Sequence, residues 1–220
     1  VGESLKGTNG FIKKAGGAPA NVAAAISKLG CEAYFCGSVG NDAFGEFLED
    51  TLIANNINTE LMFKLNDHNT TFAFVSLMKD GERDFEFARD ADEYLPFEYV
   101  EKELDKFDLF HFGSATAFLE GQLKETYYKI KDYALKNNKL ISFDANYRDA
   151  LFGNKKEVFI NCCKEFIADS DIVKLSDEEA MLISEIENIE EAARSIVELG
   201  CKNLIVTLGK MGALVTTKES

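Results

Sequence analysis

Positive charge is scarce in this chain: 24 lysines and arginines stand against 38 aspartates and glutamates, a formal net charge of −14 over 220 residues. Nucleic acid and anionic membrane surfaces need a basic partner, so neither is expected here. Solubility alone accounts for the acidic balance, and phosphate can still be held locally by backbone N–H groups and a few cations. Histidine is scarcer still, with only His68 and His111. The five cysteines include no Cys-x-x-Cys pair, and a disulfide between the adjacent Cys162 and Cys163 would be strained. A zinc-ligand spacing is therefore lacking, and the thiols are read as reduced, mostly buried and cytoplasmic. No apolar run approaches the ~20 residues that cross a bilayer, and no secretory leader opens the chain. Neither a G-x-x-x-x-G-K-[ST] run nor a G-x-G-x-x-G after a strand occurs, so P-loop chemistry and dinucleotide binding lack their fingerprints.

What is present is an ordinary globular composition, 46% hydrophobic and 28% charged, of a size for one large domain with or without a small appendage. Residues 20–29 read as an alanine-rich helix stopped by Gly30, and 33–38 as a strand. Asp42 is placed to cap a helix running to about Asn55. Thr70–Met78 and Asp84–Arg89 alternate around Asp80-Gly81, the signal of a hairpin wet on one face. Leu5–Lys14 is expected to add a strand to it. From Pro96 onward short apolar strands (109–112, 140–143, 172–175, 204–207) alternate with helices (121–137, 155–168, one opened by Ser176, one capped by Asn188 and ending at Gly200), and 213–217 is a last strand. The expected architecture is a mostly parallel sheet covered on both faces, an α/β core over 16–60 and 97–220 with a β lid from 1–15 and 61–96. Ligands in such folds collect beyond the carboxyl ends of the strands, so the loops after Phe112, Phe143, Leu175 and Thr207 should line one site.

Four constellations carry candidate chemistry. Gly16-Gly17 lets backbone approach a ligand closely, Pro19 pre-sets a first helical turn, and Asn21 falls one turn in. By itself this also fits any loop-to-helix junction. Asp144-Ala145-Asn146-Tyr147-Arg148 offers a carboxylate, an amide and a guanidinium at alternating positions after a strand, able to address metal, hydroxyl and phosphate together, or to be a solvated turn. Lys174-Leu175-Ser176-Asp177-Glu178-Glu179 has capping-box spacing, with a cation beside it. Thr207-Leu208-Gly209-Lys210-Met211-Gly212 is a glycine-bounded turn between two strands, which a plain hairpin would also give.

In order and spacing these four resemble the ribokinase-like (pfkB-type) carbohydrate kinases, nearest to the fructokinase-like members. The resemblance spans nearly the whole chain and implies a three-layer α/β/α fold with a small β lid. It implies ATP-dependent phosphorylation of a sugar primary hydroxyl, of fructose first, with 2-keto-3-deoxygluconate, ribose or a nucleoside as alternatives. By the same resemblance Gly16, Gly17 and Asn21 hold sugar hydroxyls. Arg89, otherwise one charge on a wet edge strand, crosses from lid to sugar. Phe72 packs on the sugar or in the core. Asn146, Arg148, Lys174, Ser176, Thr207, Gly209 and Gly212 address ATP and its phosphates, while Asp144 and Glu179, through water, address magnesium. Ala145 stands where the family often has proline, and Ser176 where it often has asparagine. His111 is given no catalytic role.

The family's Gly-Ala-Gly-Asp turn, whose aspartate is the base, is not among these residues. That aspartate is expected beyond Ser220, with further sequence before Val1, and the 220 residues alone are expected to show negligible kinase activity. Potassium dependence is an open expectation. A homodimer through the lid is expected if Phe72, Phe74, Phe85 and Phe87 face a second copy rather than the main domain. The reading from another class is a sugar- or nucleotide-binding α/β protein without catalysis.

Overall fold

The computed structural model describes residues 5–77 and 83–218. Its backbone gathers into two compact units, residues 1–99 and 100–220. In the first unit, α1 (Ala18–Lys28) starts at Gly17, whose φ of 107° suits only glycine, with Pro19 in the first turn. It ends as expected at Gly30. Strand β1 (Gly37–Gly40) leads to α2 (Ala43–Ala54), which the Asp42 carboxylate caps by accepting from the N–H groups of Phe44 and Gly45. Strand β2 (Met62–Leu65) returns parallel to β1, with Gly37 opposite Met62 and Gly40 opposite Leu65. Ala23, Val39, Leu52, Ile57 and Met62 pack together as the aliphatic core of this β–α–β turn.

Two strand expectations are corrected. The strand placed at 33–38 is regular only from Gly37; before it, Tyr34 makes a single bridge to Asn58. A turn closed by the Met62 N–H on the Thr59 carbonyl interrupts the ladder there. Residues 5–14 form no strand: Leu5–Gly7 is a 3₁₀ turn, Thr8 bonds the Gly10 carbonyl, and Phe11 packs edge-on against Phe74 with ring centroids 5.1 Å apart. Phe11 thus meets the hairpin through its ring. The hairpin itself is β3 (Phe72–Leu77) and β4 (Arg83–Ala88), antiparallel, with Phe72 opposite Ala88. The Asp80-Gly81 turn and Glu82 lie outside the described residues. A 3₁₀ turn at Ala91–Glu93 follows, then the short α3 (Phe97–Val100).

The second unit is the expected α/β alternation: β5 (Leu109–Gly113), α4 (Gln122–Lys136), β6 (Leu140–Asp144), α5 (Asp149–Phe152), α6 (Lys156–Ala168), β7 (Ile172–Ser176), α7 (Asp177–Ser184), α8 (Ile189–Glu198), β8 (Asn203–Thr207) and β9 (Ala213–Thr217). The strands lie in the order β5-β6-β7-β8-β9, parallel through β8 and antiparallel at β9. Burial alternates along them: Ile141, Phe143, Val173, Leu175, Leu204 and Val206 are almost fully buried while their neighbours are not. Phe166 of α6 packs with Phe112, Phe118 and Phe143, its centroid 5.0 to 5.6 Å from theirs. A side chain at Gly200, where α8 turns into β8, would strike the Ala168 carbonyl at 2.4 Å, so glycine is obligatory there. The cysteines are free; Cys162, Cys163 and Cys201 are buried, and Cys31 is exposed. Burial pushes the thiols of Cys36 and Cys201 up to about 12 and about 11, which keeps them protonated and unreactive.

Candidate active site

Residues two apart on a strand share a face, and partners in a parallel ladder share it too. The register Asp144 opposite Lys174, and Ser176 opposite Thr207, therefore lines these four residues on one face at the carboxyl ends of β6, β7 and β8. Lys174 Nζ lies 3.3 Å from the Asp144 carboxylate. The expected capping box forms: Glu179 N–H donates to Ser176 Oγ, and Ser176 N–H donates to Glu179 Oε2 at 2.8 Å. The carboxylate does more than cap. Its other oxygen accepts the Tyr147 N–H at 2.7 Å, so a side chain only 7% exposed ties the loop after β6 to the start of α7.

That loop is held from below as well. Ser114 donates its hydroxyl to the Ala145 carbonyl and its N–H to the Asp144 carbonyl. Ala145 is fully buried, so the place of the family's proline is filled by packing. Asn146 has a φ of 45°, left-handed backbone that asparagine tolerates better than most residues. Arg148 donates to the Tyr147 carbonyl at 2.7 Å. At the next strand end Thr207 donates to the Leu175 carbonyl at 3.2 Å. Gly209 (φ 56°) and Gly212 (φ 100°) shape a tight turn closed by the Leu208 N–H on the Gly212 carbonyl, and a side chain at either would meet open space.

His111 sits one row below. Its Nδ1 is 3.1 Å from Ser142 Oγ, and its Nε2 is buried without a hydrogen-bond partner. Burial lowers its pKa, against the opposing pull of the Asp144 charge, so the ring is neutral near neutral pH.

In the first unit, Gly16 and Gly17 frame the entrance to α1, and Asn21 is exposed one turn in, its N–H on the Gly17 carbonyl at 3.0 Å. A side chain at Gly16 would meet nothing within 4 Å, and Gly16 is not among the positive-φ glycines. Phe72 is half-buried, edge-on to Phe44 at 4.6 Å. Arg89 is turned onto its own segment: Nε and Nη2 donate to Asp92 Oδ2 at 3.0 and 2.8 Å, and Nη1 lies 3.4 Å from Glu93.

The glycine-rich run 37–45 is structural. A side chain at Gly40 or Gly45 would meet backbone at 2.6 or 2.1 Å. Asp42 accepts from Thr70 N–H and Oγ1 as well as capping α2. Burial raises its pKa, but the donors from Thr70, Gly45 and Phe44 outweigh this and hold it below the ordinary carboxylate value. Thr70, Thr71 and Tyr147, which donate to the carboxylates of Asp42, Asp92 and Glu179, and Ser114, which donates to the backbone carbonyls of Asp144 and Ala145, carry no signal in spacing because each is met far along the chain.

In open parallel sheets ligands collect beyond the carboxyl ends of the strands, which is where Asp144, Lys174, Ser176 and Thr207 lie. The chain belongs to the pfkB family of carbohydrate kinases, whose sequence profile matches residues 3–220. It is 36% identical over 225 aligned residues to probable fructokinase-4 of Arabidopsis thaliana, covering 99% of this chain and 68% of that protein. The fructokinase of Halothermothrix orenii has the same fold, with a TM-score of 0.89 and 29% identity over 99% of this chain and 77% of its own. A Vibrio cholerae fructokinase in its fructose, ADP and calcium ion bound form matches with a TM-score of 0.84 and 28% identity, over 96% and 68%. The ribokinase-like α/β/α fold and the carbohydrate kinase family expected from the four motifs are thus both found. No helix among the described residues is long and apolar enough to cross a membrane.

Proposed function

We propose that the protein transfers the γ-phosphoryl group of ATP to a primary hydroxyl of fructose. The observation that carries this reading is the buried Glu179 bridge. It fixes the Asp144–Arg148 loop beside Ser176 and Thr207 at the strand ends, in a chain related to fructokinases. Phosphoryl transfer needs positioning and charge stabilisation more than covalent help. Asn146 and Arg148 are assigned to the transferring phosphate, and Lys174 and Ser176 to phosphate charge. Thr207, Gly209 and Gly212 are assigned to the nucleotide, where bare glycine backbone admits close approach. Gly16, Gly17, Asn21, Arg89 and Phe72 are assigned to the sugar.

Among the described residues no three His, Cys, Asp or Glu side chains converge on a metal position. Both Glu179 oxygens are already taken by backbone donors. This donor set fits a magnesium ion carried mainly by phosphate oxygens and water, with Asp144 and, through water, Glu179 at its edge. When bound, such an ion neutralises phosphate charge. A potassium requirement, a cytoplasmic location and the division into core (16–60, 97–220) and lid (1–15, 61–96) belong to the same reading. So does a homodimer through the lid, expected where Phe72, Phe74, Phe85 and Phe87 face a second copy; these four are half-buried, Phe72 against Phe44 and Phe74 against Phe11.

The test is the product. Protein from the complete gene, incubated with fructose and MgATP, is expected to give a phosphate monoester whose ³¹P signal couples to a CH₂ group. Coupling to a single CH proton, or no ester, would overturn the assignment.

A further inference from the structure

Arg89 is a cation whose charge the fold has already spent. Its side chain is 14% exposed and meets two carboxylates, Asp92 through Nε and Nη2 and Glu93 through Nη1. Asp92, 19% exposed, is itself fixed: its Oδ1 accepts the Thr71 hydroxyl, and that hydroxyl accepts the Asp90 N–H at 2.9 Å. The next carboxylate, Asp90, holds His68 Nδ1 at 2.6 Å and the Asn69 N–H at 2.8 Å. In sequence, residues 89–93 carry Asp90, Asp92 and Glu93 against the single Arg89. The carboxylates that meet this guanidinium, Asp92 and Glu93, thus outnumber its single positive charge. A guanidinium held this way still donates from its free N–H edges to a hydroxyl. It offers a carboxylate no net attraction, and the flanking acids repel one.

We infer that Asp92, with Glu93, is a specificity-determining pair that restricts the acceptor to neutral sugars and rejects sugar acids by cancelling the charge of Arg89. This rests on the reading of Arg89 as an acceptor contact given above. Asp92 is a positioning residue: Thr71 holds it, and it holds the guanidinium plane. Replacing Asp92 by asparagine keeps an oxygen for the Thr71 hydroxyl but turns an N–H₂ group toward Arg89, which both frees and recharges the guanidinium.

Wild type and variants, expressed from the complete gene, are assayed by ADP release with fructose and with 2-keto-3-deoxygluconate as acceptors. In Asp92→Asn the kcat/KM preference for fructose over the sugar acid is expected to fall roughly tenfold. The KM values move in opposite directions, and kcat for fructose changes little. Asp92→Glu, which keeps the charge, restores the preference. Glu93→Gln moves the ratio the same way by a smaller factor, and it decides the matter if Asp92→Asn fails to fold by circular dichroism. A preference unchanged in both charge-removing variants overturns the inference. Arg89→Met with both KM values unchanged overturns instead the placement of Arg89 at the acceptor.

Discussion

Gly16 and Gly45 lack a side chain for different reasons. At Gly45 a Cβ would sit 2.1 Å from the Gly40 carbonyl oxygen, so the fold itself requires glycine. At Gly16 neither the backbone angle nor any neighbour requires it. Gly16→Ala is therefore expected to leave stability within about 0.5 kcal/mol of wild type while raising the KM for the sugar. Gly45→Ala is expected to cost about 3 kcal/mol. Thermal unfolding and acceptor titration separate the two outcomes. In sequence both glycines belong to glycine-containing runs that look alike. Only Thr70, met across the fold, shows that Asp42 and its glycines serve packing. Arg89 is a similar case: the family resemblance pointed it to the sugar, but nothing in the sequence revealed that Thr71 holds the Asp92 carboxylate that in turn holds its guanidinium.

At the scale of elements, two carboxylates join segments far apart in sequence. Glu179 links the start of α7 to the loop after β6 through two backbone N–H groups. Glutamine there would present an N–H₂ group to one of these donors. Glu179→Gln is expected to cost about 1–3 kcal/mol in unfolding free energy and to raise the KM for ATP, because the Asp144–Arg148 loop loses its anchor. An unchanged melting temperature would contradict this bridging role. Asp42 likewise joins α2 to the start of β3. Its folded pKa is depressed, so its contribution is complete above the ordinary carboxylate value of about 4 and drains away as pH falls through the lower folded value. Asp42→Asn is expected to be less stable at neutral pH and to lose less on acidification; urea unfolding between pH 7 and 3 measures both. Helix starts and stops were legible because Asp42, Ser176, Asn188, Gly30 and Gly200 act within a few residues of themselves. The segment 5–14 was misread because Phe11 reaches the hairpin by its ring while Ile12 is left exposed, and its glycines break the extended run.

At the scale of the molecule, the alternation of short apolar strands with helices made the α/β class legible, and β6, β7 and β8 carry the expected buried face in Ile141, Phe143, Val173, Leu175, Leu204 and Val206. The polar strand ends fell where parallel topology places them, which is why Asp144, Lys174, Ser176 and Thr207 were legible as one group. The acceptor was less legible, because a sugar is chosen by hydroxyl geometry and local charge that no spacing encodes. The most direct measurement is MgATP-dependent ADP release by protein from the complete gene, across fructose, ribose, 2-keto-3-deoxygluconate and a nucleoside. The account expects the highest kcat/KM with fructose. A higher value with the sugar acid or the nucleoside, or no turnover with any acceptor from a folded protein, would contradict it.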